Sequence, residues 1–179
     1  MERKIALLPV GQVEGWILEV LENALAKKFE CQLERYNPID VPKEALNPAR
    51  GQYDSSFILH RVHDLIELER QDKGLAITDV DLYAAALNFV FGEAELGGQW
   101  AVISLTRLRQ SSYSLEENKP IFSERAIKEA VHELGHVFGL EHCPDFECVM
   151  HFSNSLPDTD RKSASFCARC QSRLQNLMR

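Results

Sequence analysis

Eleven residues constrain this chain more than any other stretch: His132-Glu133-Leu134-Gly135-His136-Val137-Phe138-Gly139-Leu140-Glu141-His142, with Cys143 next. They read H-E-x-x-H-x-x-G-x-x-H. Histidines four apart on a helix share one face, one turn apart. At that spacing two imidazoles can hold one zinc ion, which predicts a helix over 123–139. Gly139 can leave the right-handed helix in a left-handed conformation at no steric cost. The chain then turns and brings His142 back as a third ligand. Three protein ligands leave a fourth position open, the arrangement of a catalytic rather than a structural zinc. Glu133 stands beside the first histidine, where a carboxylate can take a proton from water. A solvated helix face carrying two histidines is the bland alternative. The glycine and the third histidine at fixed offsets weigh against it.

The other segments read as scaffolding. Residues 4–10 form a buried strand. Residues 13–29 carry apolar side chains at helical offsets, ending at Phe29. A second strand is expected at 30–35. Pro38, Pro42 and Pro48 make 37–51 an irregular connection. Ser55 or Ser56 is the expected cap of a helix over 57–71. Strands follow at 74–78, 87–91 and 100–105, with a hairpin-like loop at 92–98 between the last two. Residues 111–120 are polar and exposed. Alternating strands and helices predict an α/β (α+β) fold with a mostly parallel sheet. A chain of 179 residues with 45% hydrophobic content suggests one domain, or one domain with a small appendage, with a real core.

Net charge is −7, which argues against a nucleic-acid binder. After Asp160 the chain has no acidic residue but carries Arg161, Lys162, Arg169, Arg173 and Arg179. A solvated basic helix explains this; a docking patch for an acidic partner is the sharper reading. No apolar stretch approaches the ~18 residues of a membrane span. The first strand lacks a cleavage-site pattern, so it is not read as a signal peptide. The expected location is the cytoplasm, where disulfides are not expected.

Four of five cysteines lie in the last 37 residues. In a reducing compartment that clustering points to metal. Cys143-x4-Cys148 and Cys167-x2-Cys170 can enclose a tetrahedral zinc with no open position, a structural site. The chain after His142 is short and polar, and a zinc clamp would hold it. Cys143 adjoins His142, so the clamp also positions the third histidine. Cys31 reads as a small buried hydrophobe, with a zinc-blocking cysteine as the alternative. His60 and His63 read as a surface pair. Asp79 and Asp81 lack the rest of a calcium loop.

The motif, the cysteine directly after it, Cys148, Met150, and C-x-x-C at Cys167 and Cys170 together resemble the archaemetzincins. Residues 78–82 and the chain length are similar too. The resemblance implies a compact metzincin fold: a twisted mixed sheet, a backing helix and an active-site helix in an upper part, then a small lower part ending in a helix. Those parts correspond to 1–139 and 140–179 of a single 1–179 domain, with the cleft between them. By resemblance, His132, His136 and His142 bind catalytic zinc and Glu133 is the general base. Met150 is the turn methionine beneath the metal. Cys143, Cys148, Cys167 and Cys170 bind the second zinc, making two per chain.

The expected function is zinc-dependent hydrolysis of peptide bonds in a peptide or protein substrate. The fold is expected to start near Lys4, which would leave no room for an inhibitory pro-segment. Restricted access is therefore expected, favouring short peptides or an aminopeptidase-like preference. Glu93 or Glu95 could bind a free amino terminus. The strand beside 92–98 is expected to be a sheet edge able to pair with an extended peptide. A monomer without nucleic-acid or membrane partners is expected. The alternatives are a non-catalytic zinc-stabilised peptide-binding module, which would not need Glu133, and a zinc-finger-like nucleic-acid binder.

Overall fold

The computed structural model describes residues 3–178. Among them are eight strands and five α-helices. Strand β1 (Lys4–Val10) leads into α1 (Gly15–Phe29) and β2 (Gln32–Arg35). The chain continues through β3 (Leu46–Asn47), β4 (Gln52–Asp54), α2 (Ser55–Leu65), β5 (Lys73–Thr78) and β6 (Leu82–Tyr83). Then come β7 (Gly92–Ala94), β8 (Trp100–Ser104), α3 (Lys119–Val137), α4 (Leu156–Arg161) and α5 (Ala168–Leu177).

The main sheet has the order β2-β1-β5-β8-β7. Its first four strands run parallel, and β7 is antiparallel to β8. Side chains of β1 alternate between two cores, as the two-residue strand repeat requires. Ile5 and Leu7 join the core under α1 and α3; Ala6, Leu8 and Val10 join the core under α2. Both faces of the strand are covered, which is why it reads as an uninterrupted apolar run. Gly74 is needed where the Trp100 ring crosses β5, since a Cβ there would collide with the indole.

Several boundaries differ from expectation. Helix α2 ends at Leu65 rather than running to 71. Ile66 and Leu68 both pack on the core at a spacing of two, which is an extended rather than a helical repeat. Its cap is Asp54, whose carboxylate accepts from Phe57 N–H at 3.1 Å; Ser55 and Ser56 point their hydroxyls elsewhere. The small sheet β3-β4-β6 was not expected. The strand expected at 87–91 is irregular, and pairing begins inside the predicted loop, at Gly92. Gly-Glu-Ala has weak strand propensity, and pairing with β8 overrides it. Helix α3 starts at Lys119, earlier than 123. Asn118 accepts from Ile121 N–H at 3.1 Å, and Pro120 sits in the first turn.

The segment after His142 is better packed than its polar composition suggests. Val149, Met150, Phe166, Cys170 and Leu174 are buried in the main core. Among the described residues no helix is long and apolar enough to cross a membrane.

Candidate active site and second metal centre

Helix α3 ends in a Schellman motif. Gly139 adopts φ +98°, its N–H bonds the His136 carbonyl at 2.8 Å, and Leu140 N–H bonds the Gly135 carbonyl at 2.9 Å. This turn returns the chain to His142, as the glycine offset predicted. It also presents the Leu140 carbonyl to Nδ1 of His136 at 2.7 Å. Nδ1 of His132 meets the Val149 carbonyl at 2.7 Å. A carbonyl only accepts, so both protons sit on Nδ1 and both Nε2 lone pairs stay free for a metal.

The three imidazoles converge, with ligand atoms within 4.8 Å of one another. The Nε2 atoms of His132 and His136 are 3.1 Å apart. A tetrahedral zinc with Zn–N bonds of ~2.1 Å separates its ligands by about 3.4 Å, so the donor set fits that ion. His142 is exposed and packs against the Phe152 ring, 5.0 Å between centroids. Burial lowers the pKa of all three histidines, His132 well below its usual range. The nearby Lys162 ammonium adds to this at each of them. Neutral imidazoles are the form that binds metal.

Glu133 is buried on the floor of a cavity of about 420 Å³. Burial pushes its carboxyl well above the usual range, and Glu129 one helical turn earlier reinforces the shift. Gly92 on β7 makes room for it: a Cβ there would lie 2.7 Å from Glu133 Cγ. Edge strand β7 thus borders the cleft, but it lies at Gly92–Ala94, inside the expected loop rather than beside it. Phe89, Phe91, Leu96 and Phe152 give the cavity apolar walls. Glu93 also lines it, with its carboxylate accepting from the Ser55 and Ser56 hydroxyls. Glu95 does not serve the cleft. Its carboxylate holds the hairpin turn by accepting from Gln99 N–H at 3.2 Å.

Met150 lies in a tight turn, with His151 N–H bonded to the Cys148 carbonyl at 2.9 Å. It is fully buried and rests on Gly135, where any Cβ would strike its sulfur. The methionine therefore sits against the helix turn that carries His136.

Cys143, Cys148, Cys167 and Cys170 form the second cluster, again within 4.8 Å. Sγ of Cys143 and Cys167 are 3.8 Å apart. A tetrahedral zinc with Zn–S bonds of ~2.3 Å sets that edge at about 3.8 Å. A backbone N–H from Cys170 helps hold the Cys167 thiol down to about 7, whereas burial pushes the Cys148 and Cys170 thiols up. Cys143 N–H bonds the Met150 carbonyl at 2.9 Å, tying this centre to the turn under the histidines.

The basic tail is not uniformly solvated. Lys162 is buried, pairs with buried Glu129 at 3.3 Å, and lies 3.5 Å from Nδ1 of His132. Nothing in its sequence context marks it, whereas Glu129 could have been found from its offset of four before Glu133. Arg161, Arg169 and Arg173 are exposed; Arg179 lies outside the described residues. Asp79 and Asp81 bind Arg109 and Arg107. Cys31 packs half-buried beside α5 and lines a different cavity, its thiol pushed up to about 11 by burial. His60 and His63 are exposed.

A helix that presents two histidines and a buried glutamate, with the chain doubling back to a third histidine over a methionine turn, is the layout of a metzincin-type zinc metallopeptidase. Residues 22–176 match the model of peptidase family M54. The chain is 45% identical to the archaemetzincin of Methanocaldococcus jannaschii over 98% of its own length and 95% of that protein. It superimposes on the archaemetzincin of Archaeoglobus fulgidus, crystallised with malonate, with TM-score 0.83 at 43% identity, covering 95% and 99% of the two chains. For the Methanopyrus kandleri archaemetzincin the TM-score is 0.87 at 38% identity, covering 99% and 96%. The chain belongs to peptidase family M54 and is a zinc metallopeptidase.

Proposed function

We propose that His132, His136 and His142 hold the catalytic zinc, that Glu133 is the general base, and that Cys143, Cys148, Cys167 and Cys170 hold a second, structural zinc. The observation that carries this reading is the position of Glu133. Its carboxyl is buried on the cleft floor beside the converged imidazoles, in a helix turn whose other faces are fully packed. Zinc bound at such a centre supplies Lewis-acid polarisation of a carbonyl and acidifies water towards a pKa of ~7. Glu133 accepts the proton from the attacking water and passes it to the leaving amine. Near a dication its raised pKa falls back toward the ionised, proton-accepting form. Met150 supports the turn that carries His136. The backbone of β7 offers edge hydrogen bonds to an extended peptide.

The substrate reading is short peptides, with an aminopeptidase-like preference. A cavity of about 420 Å³ suits a small ligand. Glu93, anchored by two serine hydroxyls, presents a carboxylate to a free amino terminus. We read residues 1–139 and 140–179 as upper and lower parts of one domain, divided at the Gly139 turn. A monomer suffices, because one chain supplies every ligand of both centres. Four cysteines used as thiolate ligands suit a reducing compartment, and we place the protein in the cytoplasm.

Digestion of a peptide library by zinc-loaded protein tests the reading, with Glu133→Gln as control. The variant keeps its zinc and loses turnover by at least about a hundredfold. Full activity in Glu133→Gln would remove Glu133 from the mechanism. Peptide retention without cleavage by the wild type would favour a binding module.

A further inference from the structure

The cleft wall between residues 84 and 91 has no regular secondary structure of its own. It includes a left-handed non-glycine residue, Ala86, at φ 66°. Yet this segment supplies Ala84, Leu87, Phe89, Val90 and Phe91 to the cavity lining. Its backbone bonds are few, Leu87 N–H to the Ala84 carbonyl, Val90 N–H to that of Leu82 and Ser104 N–H to that of Phe91, and so sparse a ladder leaves the tip of the loop to be shaped from outside.

Two residues on the far side of the loop do this. Arg50 Nη2 donates to the carbonyls of Leu87 and Asn88 at 2.9 and 2.8 Å. Its Nε donates to Gln52 Oε1 at 2.8 Å, and its guanidinium lies 4.2 Å over the Tyr83 ring. Gln52 is buried, and its Nε2 donates to the Asn88 carbonyl and to Asp81 Oδ2, both at 3.0 Å. Asp81 accepts two bonds from Arg107, at 2.6 and 2.8 Å. Arg107 in turn lies 4.5 Å over the Phe89 ring. The loop is thus gripped by its backbone at 87–88 and by its aromatic side chain at 89.

We propose that Arg50 and Gln52 are positioning residues that set the apolar wall of the cleft and thereby select large apolar side chains beside the scissile bond. The proposal rests on the cleft being the peptide-binding site. Neither residue touches the reacting atoms; both act through the loop. The planar guanidinium is essential, because one lysine ammonium cannot make the fork of three bonds and stack on Tyr83 together. Water can satisfy the Leu87 and Asn88 carbonyls when the clamp is removed, so the loop loosens while the fold persists.

The test compares zinc-loaded wild type, Arg50→Ala and Arg50→Lys. Two peptides are used that differ only in carrying Phe or Ala next to the scissile bond. In both variants KM for the Phe peptide rises about tenfold, KM for the Ala peptide moves less than ~twofold, and kcat stays within ~twofold. Hydrogen exchange gives a second readout that needs no activity. The amides of Leu87 and Val90, bonded to the carbonyls of Ala84 and Leu82, exchange at least about tenfold faster in both variants. Unchanged exchange at these amides overturns the proposal, as does a KM change equal for the two peptides. If the wild type cleaves neither peptide, the substrate reading fails, and the exchange result still decides whether the clamp holds the loop.

Discussion

At position 135 only a hydrogen atom fits between the active-site helix and the sulfur of Met150. Nothing in the eleven-residue motif predicts this, because the motif leaves position 135 unspecified. A Gly135→Ala methyl overpacks a closed core, and such insertions cost about 1–3 kcal/mol. The melting temperature of the zinc-loaded protein should fall by roughly 2–4 °C for each of those kcal/mol. An unchanged melting temperature would mean that Met150 yields freely and does not brace the helix. The convergence of His132 and His136 is legible from spacing alone, because helix geometry fixes where residues four apart must point. Lys162 is not. It reads as one charge in a basic run, and only the fold reveals its buried pairing with Glu129 beneath His132. Glu95 is hidden for a related reason: a glutamate in a loop looks available, but its carboxylate is taken by the turn it holds.

At the scale of elements, the sequence marks the body of helix α3 but not its first turn. Residues 111–120 are polar, and Ile121 and Phe122 alone make no helical period. Asn118 and Pro120 are the start signal, a cap and a first-turn proline. Asn118→Ala removes the side-chain acceptor for Ile121 N–H, at a cost of about 1 kcal/mol, while Asn118→Ser restores most of it. Urea denaturation of the two variants measures this, and equal stability of wild type and Asn118→Ala would contradict the cap. The cleft-side strand was displaced for a different reason. Residues 87–91 are apolar enough to read as a strand, but they line a cavity, and the backbone pairing falls on Gly92–Ala94. Here the long-range partner β8, not local propensity, chooses the register. The parallel strands β1 and β5 were legible because both of their faces are buried and leave a continuous apolar run.

For the molecule as a whole, the two centres are one construction. Cys143 follows His142 directly, its N–H bonds the Met150 carbonyl, and its own carbonyl meets Nδ1 of His151 at 2.9 Å. The polar tail suggests a segment that a zinc clamp would hold; buried Val149, Phe166 and Leu174 show that packing fixes it to the main core. The histidine cluster opens to solvent through exposed His142, whereas in the cysteine cluster Cys143, Cys148 and Cys170 are buried and Cys167 is half-buried. The most direct test counts zinc per chain by elemental analysis after dialysis against metal-free buffer. Wild type should hold two, and His136→Ala one, with the remaining zinc lost only when Cys170→Ser is added. One zinc in the wild type, or two in His136→Ala, would contradict the assignment of a separate catalytic and structural ion.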